Sequence, residues 1–353
     1  MKTGLLSMQR VNNYGSFWQA YCLKKMIENE ENQVEFIDII PGKLETRTSY
    51  KREFSFSKIK RIPYYLFQKN KNRMFAEVQK AILECTDMPN YKEEYDAIII
   101  GSDEVFNFVQ KSPWGFSSQL YGAINNRNVS TYAACFGCTT LKDIEEYHVK
   151  EEITKAFSNL KNISVRDENS YQIVKELSGE EPQVHLDPVL VGELPLENME
   201  ERREPYILVY SYDFRFADQI VIEQVKRIAK EEKCKIYSVG FYQNWCDKNI
   251  LVSPIELLKY FMNAEYVVTD TFHGTIFSLR CHKKFITLIR DSNKQKLEDL
   301  LRRVGLEERI VTEKSNIKEV LYSDIDYDSF EAMRKQEYER SKKYIQSCIG
   351  IDR

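Results

Sequence analysis

At 353 residues the chain is too long for one ordinary hydrophobic core and suits two domains of about 100–200 residues each. Apolar residues make up 42%, with only 13 glycines and 9 prolines, which excludes a disordered chain and any turn-repeat architecture. A net charge of −3 supplies no global field for nucleic acid, so polyanion binding would need a local patch and no nucleic-acid partner is expected.

The N-terminal MKTGLLSMQRVNNYG holds a short apolar run and then polar residues. It reads as neither a secretory signal nor a membrane span, which points to the cytoplasm. TGLLSM (3–8) reads as a buried strand, NNYGS as a polar glycine loop, and FWQAYCLKKMIEN as a helix in which Ala20, Leu23 and Ile27 recur at helical spacing. Further apolar runs at 34–40, 95–101, 128–137, 162–167 and 184–190 predict strands, with helices over 143–159 and 169–177 between them. Runs without strict alternation suit parallel strands covered on both faces.

The charged, proline-bearing stretch 192–205 reads as a linker, dividing residues 1–198 from 199–326. The alternation then restarts, with strands at 206–212, 235–240, 266–270 and 285–290 and helices over 216–231, 254–263, 274–282 and 294–304. The fold class is therefore α/β with two Rossmann-like domains. A tail, 327–353, is helix-prone over 328–349 with a thin apolar stripe, as for a helix lying over a surface.

Residues 43–75 form a basic insert, with ten Lys or Arg against two Glu, so it carries +8 and leaves −11 for the rest of the chain. Tyr50, Phe54, Phe56, Tyr64, Tyr65 and Phe67 are interleaved with the cations. A solvated flap over the cleft is one reading. Peripheral contact with the inner membrane surface, or with a polyprenyl-phosphate acceptor, is the other. The eight cysteines read as reduced thiols. Cys135 and Cys138 are spaced like half a zinc knuckle, but no second pair answers them, so neither a metal nor a cofactor is expected.

Ligands of facing α/β domains bind where strand carboxyl ends and helix N-termini converge. Four loops qualify: NNYGS (12–16), GSDEVFN (101–107), SVRDENS (164–170) and TDTFHGT (269–275). In the last, Thr271 can cap a helix opening at Gly274 and Thr275, beside the imidazole of His273. Arg166 ends a strand and could fork a carboxylate or phosphate, or simply pair with a surface acid. Asp103 can cap a helix or act as an acid or base, next to Ser102. Asn13 and the close backbone approach at Gly15 mark the first loop, which could equally be no more than a helix start. Together the loops offer a cation, an imidazole, a carboxylate and free amides, a set suited to anion-handling group transfer.

The order of these motifs resembles the polysaccharide pyruvyl transferase family. The segments that carry it are NNYGSFWQAYCLKKM, DAIIIGSDEVFN, STYAACFG, ISVRDENSYQIVKELSG, HLDPVLV, VVTDTFHGTIFSLRCHKKFI and KLEDLLRRVGLEERIV, covering about residues 3–312. The resemblance implies a GT-B-like pair of domains, the second binding the donor, and phosphoenolpyruvate as that donor. It implies donor-binding roles for Arg166 and His273 and places Asp103 at the family's acidic position, which makes these three the catalytic candidates. It also implies a glycan or lipid-linked oligosaccharide acceptor in surface polysaccharide biosynthesis. Phe106 stands where a tryptophan is common, and Ser16 where an acidic residue often follows the glycine, which bears on acceptor preference. A nucleotide-sugar glycosyltransferase of the same architecture and a catalytically idle scaffold are the alternatives; the donor that protects the protein against heat separates the first, and absent phosphate release the second.

Overall fold

The computed structural model describes residues 1–42, 62–110, 112–196, 204–290 and 293–350. The chain opens with β1 (Lys2–Leu6), α1 (Tyr14–Ile27), β2 (Gln33–Ile37), α2 (Ile62–Ala81), β3 (Ala97–Asp103) and β4 (Val129–Ala134). It continues through α3 (Leu141–Glu146), α4 (Lys150–Phe157), β5 (Leu160–Asn162), β6 (Ser164–Val165), α5 (Glu168–Ser178), β7 (Gln183–Val184) and α6 (Pro188–Val191). The strands form one parallel sheet in the order β2-β1-β3-β4-β6-β7, with β5 also on β4.

A second parallel sheet follows, in the order β10-β9-β8-β11-β12-β13. Its elements are β8 (Tyr206–Tyr210), α7 (Gln219–Glu231), β9 (Lys235–Val239), β10 (Lys248–Ile250), α8 (Pro254–Met262), β11 (Tyr266–Thr269), α9 (Phe272–Arg280), β12 (Lys284–Leu288), α10 (Lys294–Arg303) and β13 (Ile310–Val311). Two helices close the chain, α11 (Ile317–Tyr322) and α12 (Tyr327–Ile349). Both sheets reverse their strand order once, between β1 and β3 and between β8 and β11, and parallel sheets of this kind bind ligands outside such reversals. These are two Rossmann-like domains.

A single apolar core runs through the junction. Tyr14, Phe17 and Trp18 of α1 share it with Tyr210, Phe261 and Phe277 of the second sheet and its helices. The indole of Trp18 donates to the Pro254 carbonyl at 3.2 Å and the Tyr14 hydroxyl to Val252 O at 2.8 Å. Because α1 lies between the sheets, nearly all of its faces are buried, Gln19 and Lys24 included, and its apolar residues are not confined to one stripe. Arg280 fastens the junction from the other side, donating to the carbonyls of Val189, Leu190 and Gly192 at 2.6–3.1 Å.

Several expectations change. The helix expected over 143–159 is two, because His148 between them takes the left-handed conformation (φ 56°) and breaks the register. The strand expected over 184–190 stops at Val184, where Asp187 and Pro188 open the short α6 instead. The tail helix is more deeply seated than its thin stripe suggested. It returns to the first sheet, where the Tyr344 hydroxyl donates to Thr131 O at 2.9 Å and Ile345, Cys348 and Ile349 are buried.

Of the basic insert, residues 43–61, with Tyr50, Phe54, Phe56, Lys58, Lys60 and Arg61, lie outside the described residues, as does the boundary expected at residue 198. Residues 62–75 begin α2, and two of their aromatics pack on the second domain rather than facing outward. Tyr64 meets Phe214 and Tyr242 at 5.0 and 5.8 Å between ring centres, and Phe67 meets Tyr242 at 5.9 Å. Lys71 is buried with them, donating to Gly240 O at 2.8 Å with its ammonium 3.7 Å from the Phe241 ring centre. Among the described residues no helix is long and apolar enough to cross a membrane.

Candidate active site

The four loops singled out in the sequence meet where the two sheets face each other. From the first sheet come the loop after β1, the end of β3 and the loop after β6; from the second comes the loop after β11, with Tyr212 and Arg215 of the loop after β8 beside it.

Asn13 caps α1, its Oδ1 accepting from Gly15 N at 2.8 Å, and its Nδ2 donates across the junction to the Tyr212 hydroxyl at 3.1 Å. The next turn touches the second domain directly. A Cβ on Gly15 would stand 2.2 Å from Nδ1 of His273, so only glycine allows α1 to approach the ring. Thr271 caps α9 as expected, accepting from Gly274 N at 2.9 Å, although the helix begins at Phe272 rather than Gly274. Gly274 itself lies where a Cβ would be 2.1 Å from Thr269 Oγ1, which lets α9 fold tightly onto β11.

Arg166 sits at the end of β6, 3% exposed, with Asp167 behind it capping α5 through Ser170 N at 2.9 Å. The reading of Arg166 as half of a surface pair is thereby set aside. Its Nη1 donates to Asp187 Oδ2 at 2.7 Å and to Asp103 Oδ1 at 3.3 Å, and its guanidinium carbon lies 4.2 Å from the Phe272 ring centre. Its Nε and Nη2 are buried without a hydrogen-bond partner among the described residues. The same Asp187 Oδ2 stands 3.6 Å from His273 Nε2, which also lacks a hydrogen bond. One carboxylate thus lies between the guanidinium and the imidazole. Asp103, in the left-handed region at φ 66°, accepts from the Ser16 hydroxyl at 3.3 Å as well.

Burial works to raise the Asp187 carboxyl, but the adjoining His273 and Arg166 outweigh it and hold it at about 2, so it is ionised at neutral pH. Beside this cluster Glu104 forms a largely buried ion pair with Lys296 of α10, from the other domain. Burial opposes that charge too, and Lys296 overcomes it, holding Glu104 at about 2. On the second domain's side Asp270 receives Arg290 Nε at 2.7 Å and Arg215 Nε at 3.3 Å. Arg215 lies over the Tyr212 ring, 5.2 Å from its centre, so this basic pair borders the tyrosine that Asn13 contacts. A cavity of about 630 Å³ opens between the start of α5 and α10, with Asp167, Asn169 and Lys296 in its lining.

Of the residues expected from sequence, Asn13, Gly15, Asp103, Arg166, Thr271, His273 and Gly274 come together here. Ser102 and Thr275 stand behind them and are fully buried. The Ser102 backbone N and hydroxyl both donate to Gln19 Oε1, at 3.1 and 3.0 Å, and the Thr275 hydroxyl is engaged by Thr271 O and Thr287 Oγ1. They support loops where direct substrate contact was expected. Phe106 is also a core residue, stacked on Tyr121 at 5.1 Å, so its replacement of a tryptophan concerns packing rather than acceptor choice. Asp187 was not singled out, because HLDPVL has the pattern of a strand; the Asp-Pro pair, a usual helix opening, was the available signal. Lys296, Tyr212, Arg215 and Arg290 carried no local motif. Among the described residues no three His, Cys, Asp or Glu side chains group as a metal site.

These loops, on two facing Rossmann-like domains, bring a guanidinium, an imidazole and carboxylates together at the domain junction. The family model of polysaccharide pyruvyl transferases matches residues 13–292, and the chain belongs to that family. No curated protein matches it. Solved structures similar to it include the glycosyltransferase SnogD from Streptomyces nogalater, at 9% identity and TM-score 0.49 with all of both chains covered. The UDP-GlcNAc 2-epimerase from Neisseria meningitidis is similar to the same degree, 9% identity and TM-score 0.49 with both chains fully covered. That from Methanocaldococcus jannaschii is 14% identical, with a TM-score of 0.48 and coverage of 98% of this chain and 100% of its own.

Proposed function

We propose that the protein transfers the pyruvyl group of phosphoenolpyruvate to hydroxyls of a polysaccharide sugar, leaving it as a ketal. One observation carries this reading within the family. A buried guanidinium with two nitrogens that make no hydrogen bond, and an imidazole whose Nε2 stands 3.6 Å from the carboxylate without hydrogen-bonding it, are held on one ionised carboxylate. Buried donors without partners are rare, and a ligand that supplies acceptors accounts for them.

Phosphoenolpyruvate carries a carboxylate and a phosphate on one three-carbon unit. The free edge of Arg166 takes one of these anions as a fork, and the α1 and α9 N-termini favour negative charge nearby. His273, oriented by Asp187 and by the Gly15 backbone, delivers a proton to the methylene carbon, which makes the central carbon electrophilic. An acceptor hydroxyl adds there and passes its proton to Asp103. The bond to the phosphate oxygen breaks with its electron pair on phosphate, and a second hydroxyl closes the ketal. Of the two hydroxyl protons, one balances the proton now on the methyl group and the other leaves on phosphate. The acceptor is a glycan or lipid-linked oligosaccharide.

Phosphate release from phosphoenolpyruvate, followed across a set of lipid-linked and free sugars, tests the reading. Wild type should release phosphate with at least one acceptor, and Arg166→Ala and His273→Ala should each lose turnover while keeping the native circular dichroism. Near-native turnover in either variant removes that residue from the chemistry.

A further inference from the structure

We propose that the groove at the carboxyl ends of β1 and β2 is a saccharide subsite for the acceptor, an assignment that rests on the pyruvyl-transfer reading above. The groove encloses about 390 Å³, within the range of small-ligand clefts. Its lining runs along the loop after β1, across the end of β2 at Asp38, and up to the rings of Tyr91 and Trp114.

The floor is polar and fixed. Gln9 is only 2% exposed, and its Nε2 donates to Ile37 O at 2.9 Å and Asp38 Oδ1 at 3.3 Å. Gln9 is in the lining of the same groove, and its buried Oε1 has no hydrogen-bond partner among the described residues. A buried acceptor of this kind needs a donor, and a sugar hydroxyl is one. Asp38 is already neutralised by a forked ion pair with Arg10, with Nη2 to Oδ2 at 2.8 Å, and accepts from Asn90 N at 2.8 Å. The floor therefore presents hydrogen-bonding groups with little net charge, which suits a neutral polyhydroxyl ligand over an anion.

The walls are largely apolar. Tyr91 is 46% exposed and Trp114 partly so, with prolines 41, 89 and 113 between them, and Trp114 O accepts from Gly42 N at 2.8 Å, which anchors its loop. A pyranose has a C–H face that packs on such rings while its equatorial hydroxyls reach sideways to amides and carboxylates. The groove also lies near the reacting cluster. Asn12 lies on its rim and Gly15 touches His273, and three residues span at most about 11 Å between Cα atoms. A neighbouring sugar of a glycan lying in the groove is therefore within about that distance of the imidazole.

Saturation-transfer NMR on the full chain, with the methyl β-glycosides of glucose, galactose, mannose and N-acetylglucosamine presented singly, reads saccharide binding without turnover. At least one glycoside should be saturated, and Trp114→Ala should weaken its Kd about tenfold or more, about 1.4 kcal/mol. The rise in melting temperature caused by phosphoenolpyruvate should not change in that variant. Tyr91→Ala, at the open rim, should show the same selective loss and keeps the test decisive if Trp114→Ala folds poorly. Absence of saturation for all four glycosides, or full affinity in both variants, overturns the subsite. A glycoside signal that depends on Trp114 or Tyr91, in a wild-type protein that ignores phosphoenolpyruvate, upholds the saccharide groove and overturns the donor reading instead.

Discussion

The backbone of Gly15 lies against the imidazole of His273 so closely that a single methyl group there would come within 2.2 Å of Nδ1. The two residues belong to different domains, so this contact sets the ring where the first domain's Arg166 and Asp187 can meet it. Alanine at position 15 favours the helix intrinsically, yet it must push the ring or the helix aside. Gly15→Ala should therefore leave helix content unchanged while lowering turnover at least about a hundredfold, the scale of a misplaced catalytic group. Circular dichroism and phosphate release measured on one preparation would check it.

Asp187 is predicted to orient rather than to bind substrate. Asparagine preserves its shape and can still accept from Val189 N, now at 2.9 Å, but it removes the charge between Arg166 and His273. Asp187→Asn should lower kcat about 10²–10⁴-fold, as for other carboxylates that hold a catalytic histidine. Phosphoenolpyruvate should still stabilise the variant against heat. A loss of donor binding with kcat intact would mean that Asp187 instead shapes the donor pocket.

The ion pair between Glu104 and Lys296 joins the domains beside the site and predicts an acid-sensitive junction. Glu104 is held at about 2 against an ordinary 4.5, so its folded-state value is depressed. The stability it contributes is then fully present above about pH 4.5 and is lost as pH falls toward 2. Glu104→Gln leaves a largely buried lysine uncompensated and should cost about 3–5 kcal/mol near pH 7. Urea unfolding of wild type and variant between pH 3 and 7 should show that gap narrowing below pH 4.5. A gap independent of pH would show that the carboxylate charge is not what stabilises the junction.

Much of the fold was legible because parallel strands covered on both faces are written as continuous apolar runs, as in Ile98–Ile100 and Ile207–Val209. The site was legible where its chemistry needs local geometry: the Asn13 and Thr271 caps, and the glycines at close approaches. Residues that act through long-range contact left no such mark. Asp187 gains its role from Arg166, 21 positions earlier, and from His273, 86 positions later. Lys296 meets Glu104 only because the two sheets face each other. His148 gave no warning that it would break a helical pattern, and Tyr64 and Phe67 looked surface-seeking because their partners Phe214 and Tyr242 lie in the other domain.

If the junction of the two domains holds phosphoenolpyruvate, that ligand must protect the folded chain, and thermal unfolding with and without it is the decisive measurement. At 100 times its dissociation constant, a ligand that binds only the folded protein stabilises it by about 2.7 kcal/mol. Phosphoenolpyruvate should raise the melting temperature in wild type and should fail to do so in Arg166→Ala, while UDP-glucose should leave both unchanged. A rise with UDP-glucose and none with phosphoenolpyruvate would contradict the claim and assign the junction to a nucleotide-sugar donor.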